Sequence, residues 1–321
     1  MTFIDPPGVP ATHQRRTHGP RFASPVNSPS YEWNDHTQFL EVTRGCSHNG
    51  CRFCTFYKNV PYSKAPLEDV EYYLDYLAMC DKKTPITRVF LQGSNAFHLS
   101  YDELMELAEM MYAHLPHLES IGGYGRMSDL RDKSVEQVRK LHETGFEHFY
   151  FGVETADDTL LEFMNKGYDA AELYEAGYKL KESGMPWVCG LMFGLGGHNY
   201  GDSHAIKSAD FVNAIEPGIV TGTSLTLVYD HYTQMVPRLL KDVQSGLFEE
   251  AGEIERYEEL RTFIEHLNVH TLFSNDHSTM PYRFTVKLPD QKEHVLERLD
   301  DIIKEGDEVS MARFRASVME V

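Results

Sequence analysis

"QFLEVTRGCSHNGCRFC", residues 38–54, runs a short apolar segment directly into a loop holding Cys46, Cys51 and Cys54, three of the five cysteines among 321 residues. An apolar run of strand length that ends in a loop and is followed by helical periodicity reads as a βα unit. Bunched cysteines are not the distributed pairs of a disulfide framework, so reduced thiols open to a metal are expected.

The same alternation continues downstream. Leu67, Val70, Leu74 and Leu77 recur at helical spacing, TRVFLQG (87–93) reads as the second strand, and Ser100 with Glu103 reads as a capping box opening a helix. LESIGGYG (118–125) is the third strand, and Ser134 with Gln137 opens the helix after it. HFYFGVET (148–155) is the fourth. A helical stretch from Asp157, interrupted near Gly167, resumes at Asp169 and stops near Gly184. WVCGLMFGLGG (187–197), a helix over 202–214 and IVTGTSLTLVY (219–229) complete six units.

Six units, with no later one of that kind, predict an α/β fold: a partial (β/α)6 barrel, open where the eight-fold barrel closes. Three regions are expected: a Pro-rich extended arm over 1–35, the barrel over 36–230, and a C-terminal elaboration over 231–321 that closes one side and reaches the substrate. The arm holds six of the 15 prolines. In the last region, helices over 253–267 and 290–305 flank an irregular stretch, 271–284.

The formal charge of −19 would repel a phosphate backbone, so nucleic acid is not expected as a partner. No apolar run of about 18 residues appears, and Met1–Pro10 lacks the pattern of a secretory signal; a cytoplasmic protein without a membrane partner is expected.

In parallel βα architectures, ligands sit at the C-terminal ends of the strands. That rule sends the cysteine loop, Gln92–Asn95, Tyr124–Arg126, Glu154–Thr155 and Gly194–His198 to one face. A structural zinc site needs four ligands, and only His48, folded back within a tight loop, could join the three cysteines. Three thiolates instead complement a 4Fe-4S cluster with one iron left for a small-molecule ligand. Cys80, on the first helix, and Cys189, in the fifth strand, read as buried small hydrophobes.

With these motifs in place, the chain resembles the radical S-adenosylmethionine (SAM) superfamily, whose members share a partial barrel and a three-cysteine loop after the first strand. The usual spacing there is C-x3-C-x2-C, and here it is Cys46-x4-Cys51-x2-Cys54. Phe53 matches the aromatic residue near the adenine. Gln92-Gly93-Ser94 stands where the family carries a Gly-Gly-Glu motif that contacts the methionyl amine. The stretch 151–197 resembles the GxES…NKG…GLG pattern of the branch containing oxygen-independent coproporphyrinogen oxidases, methylthiotransferases and the elongator catalytic subunit. By that resemblance, Arg126, Glu154 and Gly194 are SAM contacts and Cys46, Cys51 and Cys54 are cluster ligands.

The resemblance implies an oxidoreductase or transferase that reductively cleaves SAM to a 5′-deoxyadenosyl radical, fed by a low-potential donor such as flavodoxin or ferredoxin. The substrate is expected to be a small organic metabolite or cofactor precursor, with a tetrapyrrole as the alternative. Asn275, Asp276, His277 and Ser278 are candidate substrate contacts, since they gather hydrogen-bonding groups outside any periodic pattern. Tyr57 and Tyr124 are candidates for the same cavity. The bland readings are a zinc-stabilised scaffold, a structural Arg126–Glu154 ion pair, Phe53 as core and the 275–278 groups as loop caps.

Overall fold

The structure, a computed structural model, describes residues 28–227 and 235–318. Most of the expected arm and the boundary expected at 230/231 lie outside these residues.

Each barrel strand is followed by its helix. Strand β1 (Thr37–Glu41) leads into the cysteine loop, whose two ends are joined by the short antiparallel pair β2 (Thr43–Arg44) and β3 (Ser63–Lys64). Then follow α1 (Leu67–Asp81), β4 (Arg88–Gln92), α2 (Tyr101–His114), β5 (Ser120–Arg126), α3 (Val135–Glu143) and β6 (Phe149–Glu154). Helices α4 (Asp158–Phe163) and α5 (Ala170–Ser183) precede β7 (Trp187–Phe193), α6 (Gly201–Ile215) and β8 (Ile219–Ser224). Both expected capping boxes form: Ser100 with Glu103 opens α2, and Ser134 with Gln137 opens α3. Gly184 ends α5 in the left-handed conformation.

Strands β1, β4, β5, β6, β7 and β8 pair in parallel in chain order, and the edge strands do not meet, so the barrel is open. Its outer face carries the core. Phe149, Phe151 and Val153 of β6 are fully buried in one cluster with Val138, Leu141, Leu173 and Leu180 of the covering helices. The alternate residues of β6, which face inward, are half-buried, and so are those of β8. The period-2 alternation therefore separates a packed outer wall from an accessible interior.

The stretch 271–284, expected to be irregular, contributes a strand. After α7 (Arg238–Gln244) and α8 (Glu253–His266), β9 (Thr271–Ser274) pairs in parallel with β8, and β10 (Thr285–Leu288) returns antiparallel beside it. Helices α9 (Lys292–Glu305) and α10 (Glu308–Ala316) end the described chain. Periodicity over four residues is too short to announce a strand; pairing with β8 makes it one.

Two expected strands end early. At Gly194 (φ +76°) the chain turns out of the sheet, and its amide is taken by Glu259. At Ser224 the amide passes to Thr279 Oγ1. Cys189 is buried as expected, whereas Cys80 is half-buried, packed against the core from the last turn of α1.

Residues 28–36 cross the N-terminal end of the barrel, away from the cysteine loop. Buried Glu32 accepts both forks of Arg88, the first residue of β4, and Arg88 Nη1 reaches Ser120 Oγ, the first residue of β5, at 3.0 Å. Trp33 packs on Phe39 at 5.1 Å. This segment floors the barrel.

Candidate functional site

The cysteine loop is held from three sides. Inside it, Lys58 donates to the carbonyls of Asn49 and Cys51, and Asn49 Nδ2 donates to the Tyr57 carbonyl. From the segment just after β4, Asn95, fully buried, bonds Ser47 through both its amide atoms, and Ser94 Oγ donates to Gly45 O at 2.8 Å. From the α4–α5 turn, Asn165 donates to Gly50 O, Met164 O accepts from Arg52 N, and His48 Nε2 lies 2.6 Å from Asn165 O. A Cβ on Gly167 (φ +81°) would stand 2.7 Å from the His48 ring, so the glycine of "NKG" admits that ring.

Cys46, Cys51 and Cys54 are free and half-buried. Burial, then the neighbouring Cys51, pushes the Cys54 thiol up to about 12, and burial also raises Cys51. Cys51 and Cys46 thus both add to the burial that raises Cys54, and thiolate ligands suit iron–sulfur chemistry. Among the described residues, no group of three His, Cys, Asp or Glu is arranged to hold a single ion. His48, the fourth ligand a zinc site would need, is committed to Asn165.

The next strand ends surround this loop. Gln92 is buried, yet its Nε2 has no hydrogen-bond partner among the described residues, an orphaned donor of the kind a bound ligand satisfies. Gly93 (φ +113°) touches β2 so closely that a Cβ would lie 2.0 Å from Thr43 Oγ1. Arg126 donates its amide to Asp129, which also takes Asn95 Nδ2 at 3.0 Å; its guanidinium donates to the Lys166 carbonyl. One buried carboxylate thus ties strands β4 and β5 and the loop together.

At the end of β6 the register shifts between Gly152 and Glu154, and Glu154 adopts φ +66°. That conformation is costly for a non-glycine residue and marks a constrained position. Its carboxylate faces Lys166 Nζ at 3.6 Å, and no ion pair joins it to Arg126. Lys166 also donates to Gly152 O at 3.0 Å and lies 5.9 Å from the Phe53 ring centroid. Burial opposes its charge, but Tyr168, Glu154 and Cys51 outweigh burial and raise its pKa. With three donors and one hydrogen bond, this ammonium keeps capacity for an anionic group. Lys166 was not singled out by sequence, its only signal being its place in "NKG", and Asn95 was reached only as the end of the Gln92–Asn95 stretch, without a role.

The remaining candidates divide. Tyr124 lines the interior edge-on between Phe90 and Tyr150, and burial first, then Tyr150, keeps its phenol neutral. Tyr57 offers its carbonyl to the cysteine loop. Asn275 is fully buried, its Nδ2 donating to Tyr282 O and its Oδ1 accepting from Phe284 N, so it caps its own loop. His277 lies 2.9 Å from Thr279 Oγ1, with its pKa lowered by burial, while Asp276 and Ser278 are exposed.

The residues present fit a cluster and SAM: three thiols on one pinned loop, an orphaned amide, and a buried ammonium and carboxylate at adjoining strand ends. HemW of Bacillus subtilis, a heme chaperone, is 26% identical over 173 residues, which cover 51% of this chain and 44% of HemW. The methyltransferase TsrM from Kitasatospora setae, solved with tryptophan and a SAM analogue, aligns over 83% of this chain and 52% of its own, at 16% identity and a TM-score of 0.50, a likeness of fold. Coproporphyrinogen III oxidase (HemN) from Escherichia coli aligns over 66% of this chain and 52% of its own, at 13% identity and a TM-score of 0.48. The Radical SAM superfamily profile matches residues 40–209, more than half of the chain, which belongs to that superfamily and uses its 4Fe-4S cluster and SAM.

Proposed function

We propose that Cys46, Cys51 and Cys54 ligate the 4Fe-4S cluster, and that SAM lies across the adjoining strand ends to act on a small organic metabolite or cofactor precursor in the barrel interior. The supporting observation is the convergence of the cysteine loop, the orphaned Gln92 amide and the Glu154–Lys166 pair on one rim. Held by these three thiolates, a cluster would supply an electron for the reductive cleavage of SAM.

The chain's own task is positional. Gln92 Nε2 and Lys166 Nζ supply donors for the methionyl end of SAM, with Gly93 and Ser94 shaping that approach. Glu154 supplies an acceptor for ribose hydroxyls. Phe53 and Gly194 flank the adenine, and Arg126 braces the turn that carries Lys166. The domain organisation we propose follows: an arm over 1–35, the barrel over 36–230 and a closing region over 231–321. Placement in the cytoplasm with a flavodoxin or ferredoxin as donor belongs to the same reading; among the described residues, no helix is long and apolar enough to cross a membrane.

The pocket chemistry favours a substrate without many carboxylates. Its wall is Phe39, Phe90, Tyr124 and Tyr150, with Thr221 donating to the Tyr150 hydroxyl at 2.8 Å. The basic group on its floor, Arg88, is spent on Glu32. The HemW likeness favours a second reading, in which the pocket takes a tetrapyrrole.

The test is anaerobic reconstitution with iron and sulfide, addition of SAM and dithionite, and measurement of 5′-deoxyadenosine, beside the Cys46→Ala, Cys51→Ala, Cys54→Ala triple variant. Product that requires the cysteines supports the proposal. A variant that assembles a full cluster refutes the ligand assignment. Coproporphyrinogen or haem that accelerates the cleavage shifts the substrate to the second reading.

A further inference from the structure

We infer that the buried pair His204–Glu259 positions the SAM-facing ends of strands β6 and β7, so that the C-terminal helix α8, outside the family-matched span 40–209, helps build the cofactor site. The inference rests on SAM lying across those strand ends.

His204 on α6 and Glu259 on α8 are each 1% exposed. His204 Nδ1 meets Glu259 Oε1, and His204 Nε2 lies 3.1 Å from the carbonyl of Glu154. The other carboxylate oxygen, Glu259 Oε2, accepts the amide of Gly194 at 2.9 Å. One pair of side chains therefore grips the last residue of β6 and the first residue beyond β7. Both gripped residues have positive φ, +66° at Glu154 and +76° at Gly194.

Both ring nitrogens of His204 face oxygen atoms, one of the Glu259 carboxylate and one of the Glu154 carbonyl, so the imidazole is held at two points. Such a buried, charge-assisted contact is strong and directional. It opposes the relaxation of Glu154 toward an ordinary extended conformation, which would swing the carboxylate away from Lys166. Helix α6 is itself fastened to the same turn: Asp157, fully buried, accepts from Tyr200, Ser203 and Lys207, and Ala156 N donates to Ser208 Oγ. His204 thus reaches Glu154 from an anchored base. Glu259 is the positioning residue that α8 supplies.

The experiment uses the reconstituted full chain. SAM affinity is read from the change in the electron paramagnetic resonance signal of the reduced cluster, together with KM and kcat for 5′-deoxyadenosine formation. Glu259→Gln keeps size and Oε1 but loses the charge; His204→Gln keeps a donor that reaches the Glu154 carbonyl; His204→Ala loses it. The expected result is about a tenfold rise in the SAM dissociation constant for His204→Ala and Glu259→Gln, carried mainly in KM, with unchanged iron content, and recovery toward wild type in His204→Gln. Folding is monitored through circular dichroism and the cluster spectrum. SAM affinity unchanged in a folded Glu259→Gln, or an equal loss in His204→Gln and His204→Ala, overturns the inference. A wild-type protein whose cluster signal ignores SAM refutes the proposed SAM site instead.

Discussion

The ammonium of Lys166 stands 3.6 Å from the carboxylate of Glu154, with 4% of the lysine side chain exposed. The pair bridges the end of β6 and the turn that clamps the cysteine loop, so its loss should reach both. Lys166→Met leaves the carboxylate without its cation and should lower unfolding free energy by up to about 3 kcal/mol. SAM binding should weaken at least tenfold, whereas Lys166→Arg keeps the charge and most of the stability. Chemical denaturation and SAM titration measure the two effects; a Lys166→Met protein that binds SAM normally would refute the assigned contact.

Gly167 carries φ +81° and admits the His48 ring where a Cβ would stand 2.7 Å away. Gly167→Ala should cost about 1–2 kcal/mol through backbone strain. The displaced ring should also release Asn165 and loosen the cysteine loop. Iron bound per chain after reconstitution should fall while the far-ultraviolet circular dichroism stays near wild type.

Each cysteine assigned to the cluster should be individually required. Single Cys46→Ala, Cys51→Ala and Cys54→Ala variants should lose most of their iron and the broad visible absorbance of the cluster. Cys189→Ala, a change at a fully buried position of β7, should retain both. Iron and acid-labile sulfide analysis decides this without reference to activity.

Lys133 gives a pH signature. Burial lowers its pKa to about 8, although Nζ donates to Phe97 O and Asp129 O. The folded value lies below the unfolded one, so between about pH 8 and 10.5 the unfolded chain holds the extra proton and stability rises with pH, at up to about 1.4 kcal/mol per unit. Below pH 8 both states are protonated and the burial penalty is constant. The wild-type minus Lys133→Met difference in unfolding free energy should therefore climb across that window and be flat below it.

What was legible in the chain were features settled within a few residues. The capping boxes at Ser100 and Ser134, the left-handed stop at Gly184 and the helical stripe through Leu74 and Leu77 each depend on neighbours three or four positions away. The cysteine spacing is equally local, and the strand-end rule carried Gln92, Glu154 and Gly194 to one rim. Strand β9 was not legible, because Thr271–Ser274 owes its extended state to pairing with β8. The polar groups of 275–278 were misleading in part: Asn275 serves the amides and carbonyls of its own loop, a demand that composition cannot distinguish from ligand binding.

The sequence by itself determined the order of strands and helices, the cysteine loop and the family's chemistry, because periodicity, caps and ligand types act over short distances along the chain. Only the tertiary structure decided which charge meets Glu154, where His48 is spent, that Glu32 and Arg88 floor the barrel, and that Glu259 reaches Gly194. Those contacts join residues far apart in sequence, and each exists because a buried polar group must find its partner wherever packing has brought one.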